Sequence, residues 1–116
     1  MKGSILEKIL KNHSDCHEFK QGDIVPISVD RIFISDNSAL PILNAMKDFK
    51  LSSPKCPTYI GLTNFHYQLQ KNYPEIQNRI IKEASNFKIE VLEQLAGHWH
   101  YILLAKKRLK PGDVFI

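Results

Sequence analysis

The spacing of apolar residues changes near residue 35, and this change constrains the fold more than any other feature. In the segment 21–35 (QGDIVPISVDRIFIS), Val25, Ile27 and Val29 alternate with other residues after a turn at Gly22 and Asp23, which is typical of a strand with one buried face. The next segment (SALPILNAMKDF) has apolar residues at helical spacing, namely Leu40, Leu43, Met46 and Phe49. Strands that alternate with helices predict an α/β protein.

The same criteria place the other elements. Ser4 and Glu7 form a capping box for an N-terminal helix that ends near His13, and one of Asp36, Asn37 and Ser38 is expected to cap the next helix. We predict strands near residues 24–34, 58–63 and 113–116, and helices over 5–13, 36–49, 73–87 and 101–109. The segment KIEVL (88–92) is compatible with a further strand. Successive strand–helix–strand units favour parallel pairing. The fold class is therefore α/β, a three-layer α/β/α segment with a partly parallel sheet, and residues 1–116 form a single domain.

Composition limits the classes of partner. The chain has 116 residues and a formal net charge of +4, and its basic residues are scattered except near 106–110. It has no basic face interleaved with aromatic residues, so we expect no nucleic-acid partner. No apolar run has the length of a membrane span, and Glu7 and Lys8 interrupt the apolar residues near the N-terminus. We therefore expect a cytoplasmic protein without a membrane partner.

Two groups of side chains have the composition of chemical sites. His13, Cys16 and His17 would share one side of a continued helix, but a fourth zinc ligand at usable spacing is missing. We predict no metal site there, and a polar helix end explains the group. His98 and His100 flank a tryptophan, which is compatible with a nickel or copper site, with a catalytic histidine, or with a structural role.

The C-terminal segment GHWHYILLAKKRLKPGDVFI (97–116) resembles, without a gap, a stretch of the aconitase family of hydro-lyases, and in particular of isopropylmalate dehydratase large subunits. In that family a Gly-Ile-Cys-His-Gln-type turn precedes about ten residues of helix and loop, then Pro-Gly-Asp and an apolar strand. Gly97 and His100 match the first turn, and Pro111 to Asp113 match the second.

The N-terminal half resembles the same family in the same order. The segment ILEKILKNHS is similar to its opening helix, and Asp36 and Ser38 fall on its Asp-x-Thr motif after the Gly-Asp/Glu-Ile-Val strand. The segment YIGLTNFHYQ lies where the family has an apolar strand that ends in Asp-His. A one-residue shift decides whether Asn64-Phe65 or Phe65-His66 occupies that pair.

The resemblance implies a domain of the aconitase N-terminal type and a site for a hydroxy di- or tricarboxylic acid. It assigns catalytic roles to His100 and, more weakly, to His66, and substrate binding to Asp36 and Ser38. The family's 4Fe–4S cluster is held by three cysteines from later in its chains. Cys16 and Cys56 lie where the family has no ligands, so we expect no cofactor in this chain.

Several residues depart from the family pattern. Tyr101 and Ala105 replace the glutamine and glutamate that follow the family's histidine, and the Asp-His carboxylate is absent. The sequence ends at Ile116, where the family continues with Gly-Thr-Asp-Ser-His-Thr. Two hypotheses follow. Either the chain is a truncated hydro-lyase segment that is inactive alone, or it is a non-catalytic α/β protein that binds a small acid or a protein. The expected partners are a di- or tricarboxylate, the missing remainder of the domain, or a protein like the family's small subunit.

Overall fold

The computed structural model of the protein describes residues 3–62, 72–93, 103–104 and 106–116. Over these residues helices and strands alternate as α1 (Ile5–Asn12), β1 (Ile32–Ser35), α2 (Asp36–Asp48), β2 (Thr58–Gly61), α3 (Tyr73–Asn86) and β3 (Glu90–Leu92). The strands form a parallel sheet in the order β1-β2-β3. The predicted α/β class and the parallel pairing are therefore confirmed. In the described ranges no helix is both long enough and apolar enough to span a membrane.

One face of the sheet packs against α2 and α3. Leu43 of α2, Ile60 of β2 and Ile80 of α3 are fully buried at its centre. Burial of a side chain of this size stabilises a fold by about 1.5–3 kcal/mol. In sequence, α2 lies between β1 and β2, and α3 lies between β2 and β3. Both helices pack on the same face of the sheet, so each strand can run in the same direction as the one before it.

The opposite face of the sheet is also covered. Tyr59 and Leu92 form a second buried cluster with Leu103, and Phe33 packs against it. The ring of Phe33 lies over Gly61, where a Cβ atom would approach the ring Cζ to 2.5 Å. Glycine is therefore required at the end of β2 by the close approach of this ring.

The predicted strand over 24–34 is wrong for most of its length. β1 begins at Ile32, and Ile24 is fully exposed. Pro26 has no N–H to donate, and no named strand of the described sheet pairs with residues 24–29. The alternation of apolar residues therefore identified a segment that pairs with none of the described strands.

The predicted strand over 113–116 is reduced to an isolated parallel bridge between Phe115 and Arg31. The N–H of Phe33 also donates to the carbonyl oxygen of Ile116 at 2.7 Å. The predicted turn before it is present, since Gly112 has φ +90° and the N–H of Lys110 donates to Asp113 Oδ2 at 2.9 Å. This part of the chain therefore lies along the outer edge of β1 without forming a regular strand.

Helix ends differ from the prediction in three places. Ser35 is the N-cap of α2, and the helix begins at Asp36. At the other end Phe49 is the C-cap and is 77% exposed instead of buried. The helix predicted over 101–109 does not include 106–109, because Lys107 has φ +54° and the N–H groups of Lys107 and Arg108 turn back to the carbonyl oxygens of Leu104 and Leu103.

The N-terminal helix was predicted correctly. Ser4 Oγ accepts from the N–H of Glu7, and the Glu7 carboxylate accepts from the N–H of Ser4, so the capping box is complete. The helix ends at Asn12 and buries none of its side chains. Its attachment to the rest of the protein therefore does not depend on a fully buried side chain of the helix.

Candidate functional site

The three strands end along the same edge of the sheet because they are parallel. We call this the carboxyl edge, and it contains the strand ends Ser35, Gly61 and Leu92. Ligands of open α/β sheets bind on the side of the carboxyl ends of the strands, in a crevice where the strand order reverses. The described strands share this side but keep the order β1-β2-β3 without a reversal. Asp36 and Ser38, the predicted substrate-binding residues, follow β1 directly and lie at this edge.

Asp36 is held in the interior of the carboxyl edge. Its side chain is only 2% exposed, and Oδ2 accepts a hydrogen bond from the hydroxyl of Tyr73 at 3.2 Å. The N–H of Asn37 donates to Oδ1 at 3.0 Å. Tyr73 is the first residue of α3, so this contact joins the starts of α2 and α3. A buried carboxylate must have hydrogen-bond donors around it. The Asp36 side chain therefore holds the first turns of α2 and α3 in fixed positions relative to each other.

The rim of the carboxyl edge consists of small polar side chains. The hydroxyl of Ser35 donates to Asn37 Oδ1, and the hydroxyl of Ser38 donates to the same oxygen at 3.4 Å. Ser38 and Asn37 are exposed. They lie in the first turn of α2, where backbone N–H groups have no partner within the helix. The N–H of Asn37 already donates to Asp36 Oδ1, so the exposed side chains of Asn37 and Ser38 are the groups that can donate to a polar ligand, although the nearby charge of Asp36 opposes a second carboxylate.

The predicted catalytic residues His100 and His66 lie outside the described residues, as do Gly97 and Tyr101. Their roles stay predictions. Tyr73, by contrast, was not predicted as a site residue, and the sequence placed it only at the start of the predicted helix 73–87. The signal in the sequence was a tyrosine in the first turn of a predicted helix, because the hydroxyl of a buried tyrosine needs a hydrogen-bond partner.

The cysteines do not fit the iron–sulfur cluster of the aconitase family. The sequence has two cysteines, whereas the family's cluster is held by three. Cys16 is exposed, with its thiol 3.2 Å from the carbonyl oxygen of Glu18, and Cys56 is half-buried. Across the described ranges no three histidine, cysteine or acidic side chains are grouped to hold a metal ion.

The three residues of the candidate zinc group lie beyond the end of α1. The helix ends at Asn12, so His13, Cys16 and His17 do not continue along one helical face. Both ring nitrogens of His13 lie within 2.7 Å of protein oxygen atoms, those of Ile9 and Asp30. These contacts give His13 a role in holding the fold.

In comparisons with known proteins, no family model matches this chain and no curated protein matches it significantly.

Proposed function

We propose that this chain is the N-terminal segment of an aconitase-family hydro-lyase, and that its carboxyl edge forms one wall of a site for a hydroxy di- or tricarboxylic acid. The observation that carries the proposal is the position of Asp36 and Ser38. These residues match the family's Asp-x-Thr motif in sequence, and they lie at the carboxyl ends of parallel strands, the side of the sheet on which α/β proteins bind ligands.

The two residues have different roles in this proposal. Ser38 is exposed and donates a hydrogen bond to an oxygen of the acid, while Asp36 is buried against Tyr73 and positions the first turn of α2. His100 is the general acid–base residue implied by the resemblance, with His66 as a weaker candidate. A catalytic histidine needs a carboxylate to fix its tautomer, and the family's partner motif is absent from this sequence.

The segment is proposed to be inactive alone. The two cysteines do not supply the three thiolates of the family's cluster, so no step of the reaction is assigned through it. Exposed apolar side chains provide a surface for the remainder of a larger domain or for a protein partner; they include Ile24, Phe49, Leu51 and Ile116.

A non-catalytic binding protein is the alternative. Tyr101 and Ala105 replace the polar residues of the family's histidine segment, and the carboxylate of Asp36 is hydrogen-bonded within the fold. Both hypotheses require the same acid-binding edge. They differ in whether catalysis appears when the rest of a hydro-lyase is supplied.

Titration of the chain with citrate, malate and isopropylmalate, followed by NMR, tests the shared part. We expect shifts at Asn37, Ser38 and His100 at millimolar ligand, because one or two charge-assisted hydrogen bonds support about millimolar affinity at best. Ser38→Ala and His100→Ala should each reduce the shifts.

Ser85→Ala is the matched control. Ser85 lies in the last turn of α3, just before β3 begins, and therefore near the opposite edge of the sheet. It should leave the titration unchanged. Absence of shifts at millimolar acid, or equal effects of Ser38→Ala and Ser85→Ala, would rule out the acid site.

A further inference from the structure

His13 lies between two hydrogen-bond acceptors. Its Nε2 is 2.6 Å from Asp30 Oδ2, and its Nδ1 is 2.7 Å from the carbonyl oxygen of Ile9. A neutral imidazole has one N–H, so it satisfies only one of these two acceptors. The imidazolium ion donates to both. The geometry therefore favours the protonated form of His13.

Asp30 connects His13 to two further parts of the chain. The same Oδ2 accepts from the N–H of Val114 at 2.8 Å, and the N–H of Asp30 donates to the carbonyl oxygen of Val114 at 2.8 Å. The N–H of Ser28 donates to the carbonyl oxygen of His13 at 2.6 Å. The end of α1, the segment before β1 and the C-terminal segment therefore meet at one ion pair.

The charges around this pair favour its ionised form. The carbonyl of Ile9 raises the pKa of His13 above 6.5, with Asp30 and the more distant Asp113 adding to the effect. The N–H of Val114 lowers the pKa of Asp30 below 3.8, helped by His13 and by Arg31. Arg31 also faces Asp113 at 3.8 Å.

Within the described part of the chain, α1 borders two open clefts. The helix buries none of its side chains. A cleft of about 430 Å³ separates its apolar face from residues 19–27, and a second of about 460 Å³ lies between residues 13–16 and 26–28. The His13 side chain, by contrast, is only 14% exposed. The position of α1 therefore depends strongly on the polar contacts of His13.

We propose that His13 and Asp30 form a pH-sensitive latch that holds α1 against the segment before β1 and against the C-terminal segment at Val114. The latch is closed when His13 is protonated and Asp30 is ionised. Because the folded-state pKa of His13 is raised, its stabilising effect is complete below pH 6.5 and is lost as the pH rises through that raised pKa. Because the pKa of Asp30 is lowered, its effect is complete above pH 3.8 and is lost as the pH falls through the lowered value.

Methyl NMR of the full chain tests this latch. The His13 ring resonance should titrate with a midpoint above 6.5, and the methyl resonances of Ile9 and Leu10 should shift with the same midpoint as α1 moves away. Each unit by which the pKa of His13 is raised in the closed state corresponds to an about tenfold stronger preference of the protonated protein for that state. Asp30→Asn should lower the His13 midpoint, because it removes the negative charge.

His13→Gln should abolish the pH dependence of the α1 methyl groups, whereas His17→Gln, an exposed histidine four positions along, should preserve it. A His13 midpoint at or below 6.5 would overturn the proposal. An α1 transition that persists in His13→Gln would also overturn it. If His13→Gln fails to fold, Asp30→Asn decides the question, because the methyl resonances of Ile9 and Leu10 should then follow the lowered midpoint of His13.

Discussion

Replacement of Tyr73 by phenylalanine removes one hydroxyl group from the interior of the carboxyl edge. Asp36 Oδ2 then loses a donor at 3.2 Å while its side chain stays 2% exposed. Loss of one partner from a buried polar group costs about 1–3 kcal/mol. The distance is long for a hydrogen bond between a hydroxyl and a carboxylate, so we expect the lower half of that range, about 1–2 kcal/mol.

Asp36→Ala should cost more than Tyr73→Phe. It leaves the tyrosine hydroxyl without this acceptor, and it also removes a negative charge from the first turn of α2, which is worth about 0.3–1 kcal/mol. The double variant should cost less than the sum of the single variants, since the second substitution removes a group that has already lost this hydrogen bond in the first. We expect a coupling energy of about 1–2 kcal/mol.

Urea unfolding of the four proteins at neutral pH measures this coupling, provided that the dependence on urea concentration is the same for all. Independent substitutions add to within about 0.3–0.5 kcal/mol. A coupling energy inside that limit would refute the argument that Tyr73 and Asp36 fix the starts of α2 and α3 together. A stable Tyr73→Phe variant with no loss would do the same.

Two further predictions concern the sheet and the cysteines. Gly61→Ala should destabilise the protein by about 1–3 kcal/mol, because the new methyl group displaces the Phe33 ring, and Phe33→Leu should reduce this cost in urea unfolding. Equal costs in both backgrounds would contradict the contact. Anaerobic reconstitution should give no stoichiometric iron and sulfide, because the chain has two cysteines. A cluster that is lost in Cys16→Ser or Cys56→Ser would contradict this expectation.

Local features of the sequence predicted local structure well. The capping box of Ser4 and Glu7 fixed the start of α1, because both hydrogen bonds join residues three positions apart. The helix predicted over 73–87 is α3, which has Pro74 in its first turn, where a proline is well tolerated. The alternation of strand and helix patterns then gave the α/β class and the parallel pairing, since a helix between two strands returns the chain to the same edge.

Features that depend on distant partners were predicted less well. Residues 24–29 have a strand pattern, but a strand also needs a neighbour, and periodicity contains no information about where that neighbour lies. Phe49 continues the helical stripe of α2, yet the helix ends one residue before it and Lys50 turns the chain with φ +54°. A stripe predicts a buried face only as far as the helix extends.

The candidate site also combines a local feature that the sequence predicts with a distant contact that it does not predict. The position of Asp36 at the carboxyl edge follows from its place directly after a predicted strand. Its contact with Tyr73 does not, because the two residues are far apart in the sequence and belong to different helices. The pair formed by His13 and Asp30 is similar, since the sequence pattern placed His13 at a helix end and gave no partner for its second nitrogen.

The latch and the acid site lie at opposite ends of β1, so the two proposals can be tested separately. Asp30 precedes the strand and Asp36 follows it. Between them β1 pairs with β2 at four positions, from Ile32 with Thr58 to Ser35 with Gly61. A strand that is paired along its whole length resists a shift in register, because a shift moves its side chains to the wrong face. Release of α1 should therefore leave the carboxyl edge in place, and an acid that binds at Ser38 should bind equally well to His13→Gln.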